Sequence, residues 1–87
     1  MAAQKESSGI ITITAKSTST ISHTFTVPSG YQKIPLFAYI VTTGWSGVVC
    51  QGTLIDPNTG MVTFTLFNVF DTSVNAEPQM IAIFIKD

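Results

Sequence analysis

Period-two alternation is the dominant pattern in this sequence. Over residues 20–27, Ile, His, Phe and Val take every second position, and Ser or Thr fills the positions between them. This spacing puts the two sets of side chains on opposite faces of a β-strand, whereas a helix would need apolar residues at a period of 3.6. No extended stretch of the chain has apolar residues at helical spacing. The pattern therefore predicts an all-β protein.

Turn signals separate the alternating stretches at spacings typical of a small antiparallel β-sandwich or barrel of about six strands. The strongest of them is Asp-Pro-Asn-Thr-Gly at 56–60, which predicts a hairpin between its flanking strands. The last strand is apolar on both faces, so we expect it in the middle of a sheet or at a subunit contact. The predicted strands are 10–15, 20–27, 33–42, 48–55, 61–68 and 79–86.

The chain of 87 residues is short enough for one domain. Residues 1–9 show no periodicity and are predicted to be a lead-in, either disordered or joined to a stalk. Residues 10–87 are predicted to form a single β domain. The longest apolar stretch, 80–85, is far shorter than the roughly 20 residues of a membrane helix, so no membrane partner is expected.

Charge is scarce in this chain. Charged residues make up 10% of the sequence, against about 25% in ordinary globular proteins, and the net charge is −1. The four Lys form no basic run, which argues against nucleic acid as a partner. Strands rich in Ile, Phe and Val with so few charges need cover, so we expect a homo-oligomer.

Catalytic side chains are also scarce, and we predict that the protein is not an enzyme and holds no cofactor or metal. His23 is the only histidine, and its alternation predicts a core or interface residue, the alternative being a site on a symmetry axis. Cys50 lies in an apolar strand and is predicted to be a buried, inert thiol. Asp56 is predicted to stabilise its turn through backbone hydrogen bonds.

Ligand-binding chemistry is better represented. Trp45 lies in a loop between two glycines, where its indole could stack on the apolar face of a sugar while Thr43 and Ser46 bind the hydroxyls. The alternative is that Trp45 closes one end of the sandwich or packs on another subunit. Asp71 shares the long loop 69–78 with Glu77, and these carboxylates are either ligand contacts or solvated charges.

Three segments have a familiar layout: Thr-Phe-Thr-Val-Pro-Ser-Gly-Tyr at 24–31, the Gly-Trp loop at 44–45, and Val-Thr-Phe-Thr-Leu-Phe-Asn at 62–68. With the final strand Ile-Ala-Ile-Phe-Ile at 81–85, the chain resembles the small all-β distal domains of bacteriophage tail fibres and baseplate receptor-binding proteins, especially from phages of Gram-positive hosts. The resemblance implies a homotrimer at the end of a fibre on the virion. It also implies binding of saccharides on the host cell surface.

The leading hypothesis is therefore a non-catalytic phage virion attachment module that binds host cell-surface carbohydrate, with Trp45, Ser46, Thr43 and Asp71 as the ligand-binding residues. The alternative is a purely structural virion domain, such as a capsid decoration or head-fibre domain, that binds no ligand. A third hypothesis, a free-standing bacterial lectin, would favour a monomer with several coplanar exposed aromatic rings.

Overall fold

The computed structural model describes residues 1–42 and 47–87 of the chain. These residues form eight β-strands, all paired antiparallel, so the predicted all-β antiparallel fold is confirmed. No helix that could cross a membrane occurs in this part of the chain. The strands are β1 (Ala2–Ser7), β2 (Ile11–Ile13), β3 (Thr18–His23), β4 (Phe37–Val41), β5 (Val48–Ile55), β6 (Val62–Asn68), β7 (Val74–Ala76) and β8 (Gln79–Phe84).

Two three-stranded sheets pack face to face as a small sandwich. In the β8 sheet the strand order is β1-β8-β4, and in the β6 sheet it is β3-β6-β5. Their inner faces meet in a core to which β6 contributes Val62 and Phe64 and β8 contributes Met80, Ala82 and Phe84. The short pair β2–β7 covers the end of the β6 sheet, where Ile13 packs with Leu66 and Val48.

The central strands follow the sequence pattern closely. In β6, every second residue from Val62 to Asn68 is fully buried, and the residues between them are partly exposed. In β8 both faces are largely covered, and the strand pairs with β1 on one edge and with β4 on the other. The expected mid-sheet position of the last strand is thus confirmed. Full burial of side chains such as Phe64 and Leu66 contributes about 1.5–3 kcal/mol each.

The first residues of the chain differ from the expected lead-in. Residues 2–7 form β1, which pairs along its whole length with β8, from Ala2 opposite Phe84 to Ser7 opposite Gln79. Without β1, one side of β8 would leave its backbone N–H and C=O groups unpaired beside the core, which is costly. Small and polar residues suffice for this edge strand, because backbone hydrogen bonds hold it in place.

Strand β5 is more exposed than its apolar sequence predicts. Six consecutive residues from Val49 to Leu54 are exposed, because β5 is an edge strand and the neighbouring β4 of the other sheet is short. Cys50 lies on this edge with an exposed thiol, so the prediction of a buried thiol is wrong. Asp56, by contrast, behaves as predicted: its Oδ1 accepts hydrogen bonds from the backbone N–H groups of Asn58 at 2.8 Å and Thr59 at 3.3 Å.

Candidate functional site

The structure describes only one of the residues predicted to bind a ligand. Thr43, Trp45 and Ser46 lie outside the described residues, so their role stays a prediction. Asp71 is on the surface, where its side chain is 91% exposed and its Oδ1 lies 3.6 Å from Nζ of Lys16. Both groups are exposed and therefore accessible to a ligand. An ion pair this exposed contributes little to stability.

Asn68, at the end of β6, organises the end of the sandwich that carries Asp71. Its side chain is fully buried. Its Nδ2 donates to the carbonyl oxygens of Ile13 at 3.1 Å and Thr72 at 2.9 Å, and its Oδ1 accepts from the backbone N–H of Phe70 at 2.9 Å. These bonds tie β6, β2 and the loop after β6 together. One buried amide thus sets the path of residues 69–72.

The ring of Phe70 lies directly against the backbone of Gly47. A Cβ atom added at Gly47 would stand only 2.3 Å from Cε2 of Phe70, so only glycine leaves space for the ring in this position. The backbone N–H of Val69 donates to the carbonyl oxygen of Gly47 at 2.8 Å. The ring is nevertheless 42% exposed. It therefore presents one side to solvent while the other is supported.

The residues that flank 43–46 in sequence lie at this same end. Gly47 follows that segment directly, and Thr42 precedes it, with its Oγ1 donating to the carbonyl oxygen of Val48 at 3.2 Å. The backbone N–H of Lys16 donates to the carbonyl oxygen of Phe70 at 3.1 Å. We call the surface formed by Lys16, Thr42, Gly47 and residues 69–72 the Phe70 end.

Two residues that shape the Phe70 end, Phe70 itself and Asn68, are not among the ligand-binding residues that the sequence predicts. A signal for Asn68 did exist, because the alternation of Val62, Phe64 and Leu66 puts position 68 on the buried face. A buried amide in that position must find hydrogen-bond partners, and they lie in the adjoining loop.

A second exposed surface lies on β4, and we call it the β4 face. Phe37 and Tyr39 are about half exposed, and their rings are stacked with centroids 6.4 Å apart and an interplanar angle of 23°. They lie opposite Ile83 and Ile81 of β8 on the outer face of that sheet. The β4 face thus exposes two stacked aromatic rings, one of which carries a hydroxyl.

Glu6 and His23 join the two sheets on the side away from β4. Nε2 of His23 donates to Oε1 of Glu6 at 2.6 Å, and Oε2 accepts from the backbone N–H of Thr26 at 3.0 Å. Partial burial acts to raise the Glu6 pKa, but the hydrogen bond from His23 and the others outweigh it, so the pKa lies below its ordinary value. The His23 ring also meets Phe25 edge-on at 4.7 Å. His23 is therefore a partly buried residue that bonds to Glu6 through one ring nitrogen, between the core and the surface.

An open groove of about 500 Å³ lies along the β5–β6 hairpin and includes Leu54, Asp56 and Met61 in its lining. One oxygen of the Asp56 carboxylate, Oδ1, is engaged by its turn. Within residues 1–42 and 47–87, no three side chains among His, Cys, Asp and Glu are grouped closely enough to hold a metal ion. Comparison of the chain with family models, curated proteins and solved structures finds no match.

Proposed function

We propose that the protein is a non-catalytic attachment module of a phage virion, and that it binds host cell-surface carbohydrate at the Phe70 end. The observation that carries the proposal is the supported, half-exposed ring of Phe70 beside the accessible charges of Asp71 and Lys16. The layout that the sequence shares with phage receptor-binding domains supports the same function.

This arrangement suits a saccharide for a chemical reason. A pyranose ring has an apolar C–H face that packs on an aromatic ring, and hydroxyls at its rim that bond to charged and polar groups. Phe70 offers the ring, Asp71 offers acceptor oxygens and Lys16 offers donors. Trp45, which the sequence predicts as a ligand contact, is two residues from Gly47, the residue that supports Phe70.

Preorganisation supports the proposal further. The hydrogen bonds of Asn68 hold the loop, so binding does not have to order the backbone that carries Phe70 and Asp71. A single shallow site of this size would still bind weakly. Several linked copies on one virion would multiply weak contacts into lasting adhesion, since the second and later contacts are intramolecular.

The absence of catalysis is part of the proposal. His23 is the only histidine of the chain, and its bond to Glu6 lies between the sheets, on a different part of the sandwich from Asp71. A general base must reach the proton that it abstracts. Among the residues of the Phe70 end, only Asp71 carries a carboxylate, and this carboxylate is exposed and paired with Lys16. Binding without turnover fits this set of groups.

A second candidate is a structural virion domain that binds no ligand, and the β4 face favours it. Phe37 and Tyr39 are stacked, exposed and backed by Ile81 and Ile83, as expected of a surface that packs on another virion protein. The free-standing lectin hypothesis calls for several coplanar exposed aromatic rings, and the β4 face supplies one stacked pair. The two surfaces share no residue, so separate substitutions can test them.

Glycan-array binding followed by titration calorimetry tests the proposal. The variants are Trp45→Ala, Phe70→Leu and Asp71→Asn, with Tyr39→Ala as the matched control on the β4 face. We expect each of the first three to weaken binding about tenfold or more, and Tyr39→Ala to bind like the unmodified protein. Loss only in Tyr39→Ala would move the site to the β4 face, and no glycan binding at all would favour the structural domain.

A further inference from the structure

Strand β5 presents an exposed and uncharged edge. In the part of the chain that the structure describes, its only paired neighbour is β6. The strand reads Val-Val-Cys-Gln-Gly-Thr-Leu-Ile, without a charged residue or a proline, although such residues are the usual protection of an exposed edge. Two of its apolar side chains are accessible: Leu54 is 74% exposed and Val49 is 44% exposed.

A β-bulge places those two side chains on the same face. The pairing of β5 with β6 shifts between Cys50 and Gly52, so Gln51 is the extra residue. As a result, Val49 lies opposite Phe67 and Leu54 lies opposite Thr63, both on the outer face of the β6 sheet. Without the bulge, residues an odd number apart would point to opposite faces.

The backbone of β5 also has groups directed away from β6. The N–H of Asp56 donates to the carbonyl oxygen of Met61 at 2.8 Å, and the carbonyl oxygen of Gly47 accepts from Val69 at 2.8 Å. Along an antiparallel pair of strands, the backbone groups of successive residues point alternately toward the partner strand and away from it. Leu54 is two residues from Asp56 and Val49 is two residues from Gly47, so their backbone groups also point toward β6. The same alternation leaves the groups of Thr53 and Cys50 facing outward.

We infer that β5 pairs with β5 of a second copy of this chain, antiparallel, about a twofold axis between Gln51 and Gly52. In this register Val49 lies opposite Leu54 of the second copy, and Cys50 lies opposite its Thr53. The outward backbone groups of Cys50 and Thr53 then bond to each other across the axis, and the exposed apolar side chains cover each other. The β6 sheets of the two copies become one continuous sheet.

A second copy fits this edge because the edge complements itself. In this one register, each accessible apolar side chain lies opposite an apolar side chain of the second copy. The outward-facing backbone groups of the two copies also lie opposite each other, and the twofold axis makes each contact occur twice. No charge on β5 opposes its own copy in this arrangement. This inference does not rest on carbohydrate binding, and it differs from the homotrimer that the phage resemblance implies, because a twofold contact joins two copies.

Sedimentation equilibrium of the full chain tests the inference. The expected particle has twice the chain mass of 9.4 kDa. Leu54→Lys should weaken this association about tenfold or more, because it puts a cation opposite Val49 of the second copy. Ile10→Lys is the matched control, since Ile10 is 75% exposed and lies outside β5, and it should associate normally.

Cysteine cross-linking tests the register. In a Cys50→Ser background, Val49→Cys together with Leu54→Cys should give a disulfide-linked pair on mild oxidation, because Cα atoms of such opposed residues lie about 4.5 Å apart. Within one chain the two positions are about 16 Å apart along the strand, too far to bridge. Thr18→Cys with Ser22→Cys on β3, in the same background, is the control and should stay unlinked.

Three results would overturn the inference. The first is a monomer at all concentrations up to 1 mM, which would leave β5 free or reserved for a different protein. The second is a trimer whose mass is unchanged by Leu54→Lys. The third is a dimer that neither responds to Leu54→Lys nor forms the cross-link, because that dimer would use another surface. Titration of the Leu54→Lys protein with glycan tests carbohydrate binding, and its outcome does not depend on any of these three results.

Discussion

Replacement of Asn68 by Ala should cost this sandwich a large part of its stability. Asn68 is fully buried and bonds to three backbone groups, those of Ile13, Phe70 and Thr72. Removing the amide leaves the Ile13 carbonyl without this partner in a buried environment, and an unsatisfied buried group costs about 1–3 kcal/mol. The other two bonds lie nearer the surface, where water can replace the amide, so each is worth about 0.5–1.5 kcal/mol.

The expected loss for Asn68→Ala is therefore about 2–6 kcal/mol, the sum of these three contributions. A domain of 87 residues has a total unfolding free energy of about 4–13 kcal/mol, so the variant would be close to its limit. Asn75 provides the matched control. Its Oδ1 also accepts a hydrogen bond, from Oγ1 of Thr12 at 2.7 Å, but this pair is exposed. Asn75→Ala should cost about 0.5 kcal/mol or less.

Urea unfolding at equilibrium measures both variants, and hydrogen exchange of the Phe70 amide reports the loop separately. Asn68→Ala should lower the midpoint without changing the slope, since the area exposed on unfolding hardly changes. It should also speed the exchange of the Phe70 amide, because the Oδ1 acceptor is gone. A loss below about 1 kcal/mol, or one no larger than that of Asn75→Ala, would refute the role assigned to this amide.

Three further changes test other parts of the molecule. Because folding lowers the pKa of Glu6, its contribution to stability is fully present at neutral pH and is lost as the pH falls below the ordinary Glu pKa and through the lowered pKa of the folded state. Glu6→Gln should lose about 1–3 kcal/mol of unfolding free energy at pH 7. In urea titrations at several pH values, its stability should also depend less on acid pH. If the unfolding free energy of Glu6→Gln fell with acid pH as steeply as that of the unmodified protein, the result would contradict this reasoning. Gly47→Ala should displace the half-exposed Phe70 ring, at a cost of about 1 kcal/mol, and weaken glycan binding as much as Phe70→Leu does. Phe64→Ala should cost about 3–5 kcal/mol in the same urea assay, whereas Phe37→Ala, on the exposed β4 face, should cost less than about 1 kcal/mol.

The sequence predicts the central strands well because their burial imposes a pattern. In β6 and β8 each inward position except Asn68 is apolar, so the register could be read from the residues alone. The edge strands carry a weaker signal. β1 contains only small and polar residues, and its place in the fold depends on backbone bonds to β8, which leave no trace in composition. The apolar residues of β5 suggest burial, yet strand order, which no local pattern specifies, leaves them exposed.

The candidate site was predictable in part for a similar reason. Asp71 stands out as one of few acids in the chain, and Trp45 stands out between glycines. The support that Gly47 gives to Phe70 joins residues distant in sequence, so it could be found only once the ends of β5 and β6 were known to be paired. The same holds for Glu6 and His23, because the sequence analysis assigns Glu6 to the lead-in 1–9 and only His23 to a strand.

The two sides of the sandwich have opposite characters, and this difference limits how copies can associate. On one side, β1 carries Lys5 and Glu6, and the bond from Glu6 to His23 joins it to β3. On the other side β4 lies beside β5, and neither strand has a charge. If both sides were free of charge, sheets could extend from copy to copy into a fibre. A twofold contact through β5 uses the same edge in both copies, so this contact by itself ends at a closed pair.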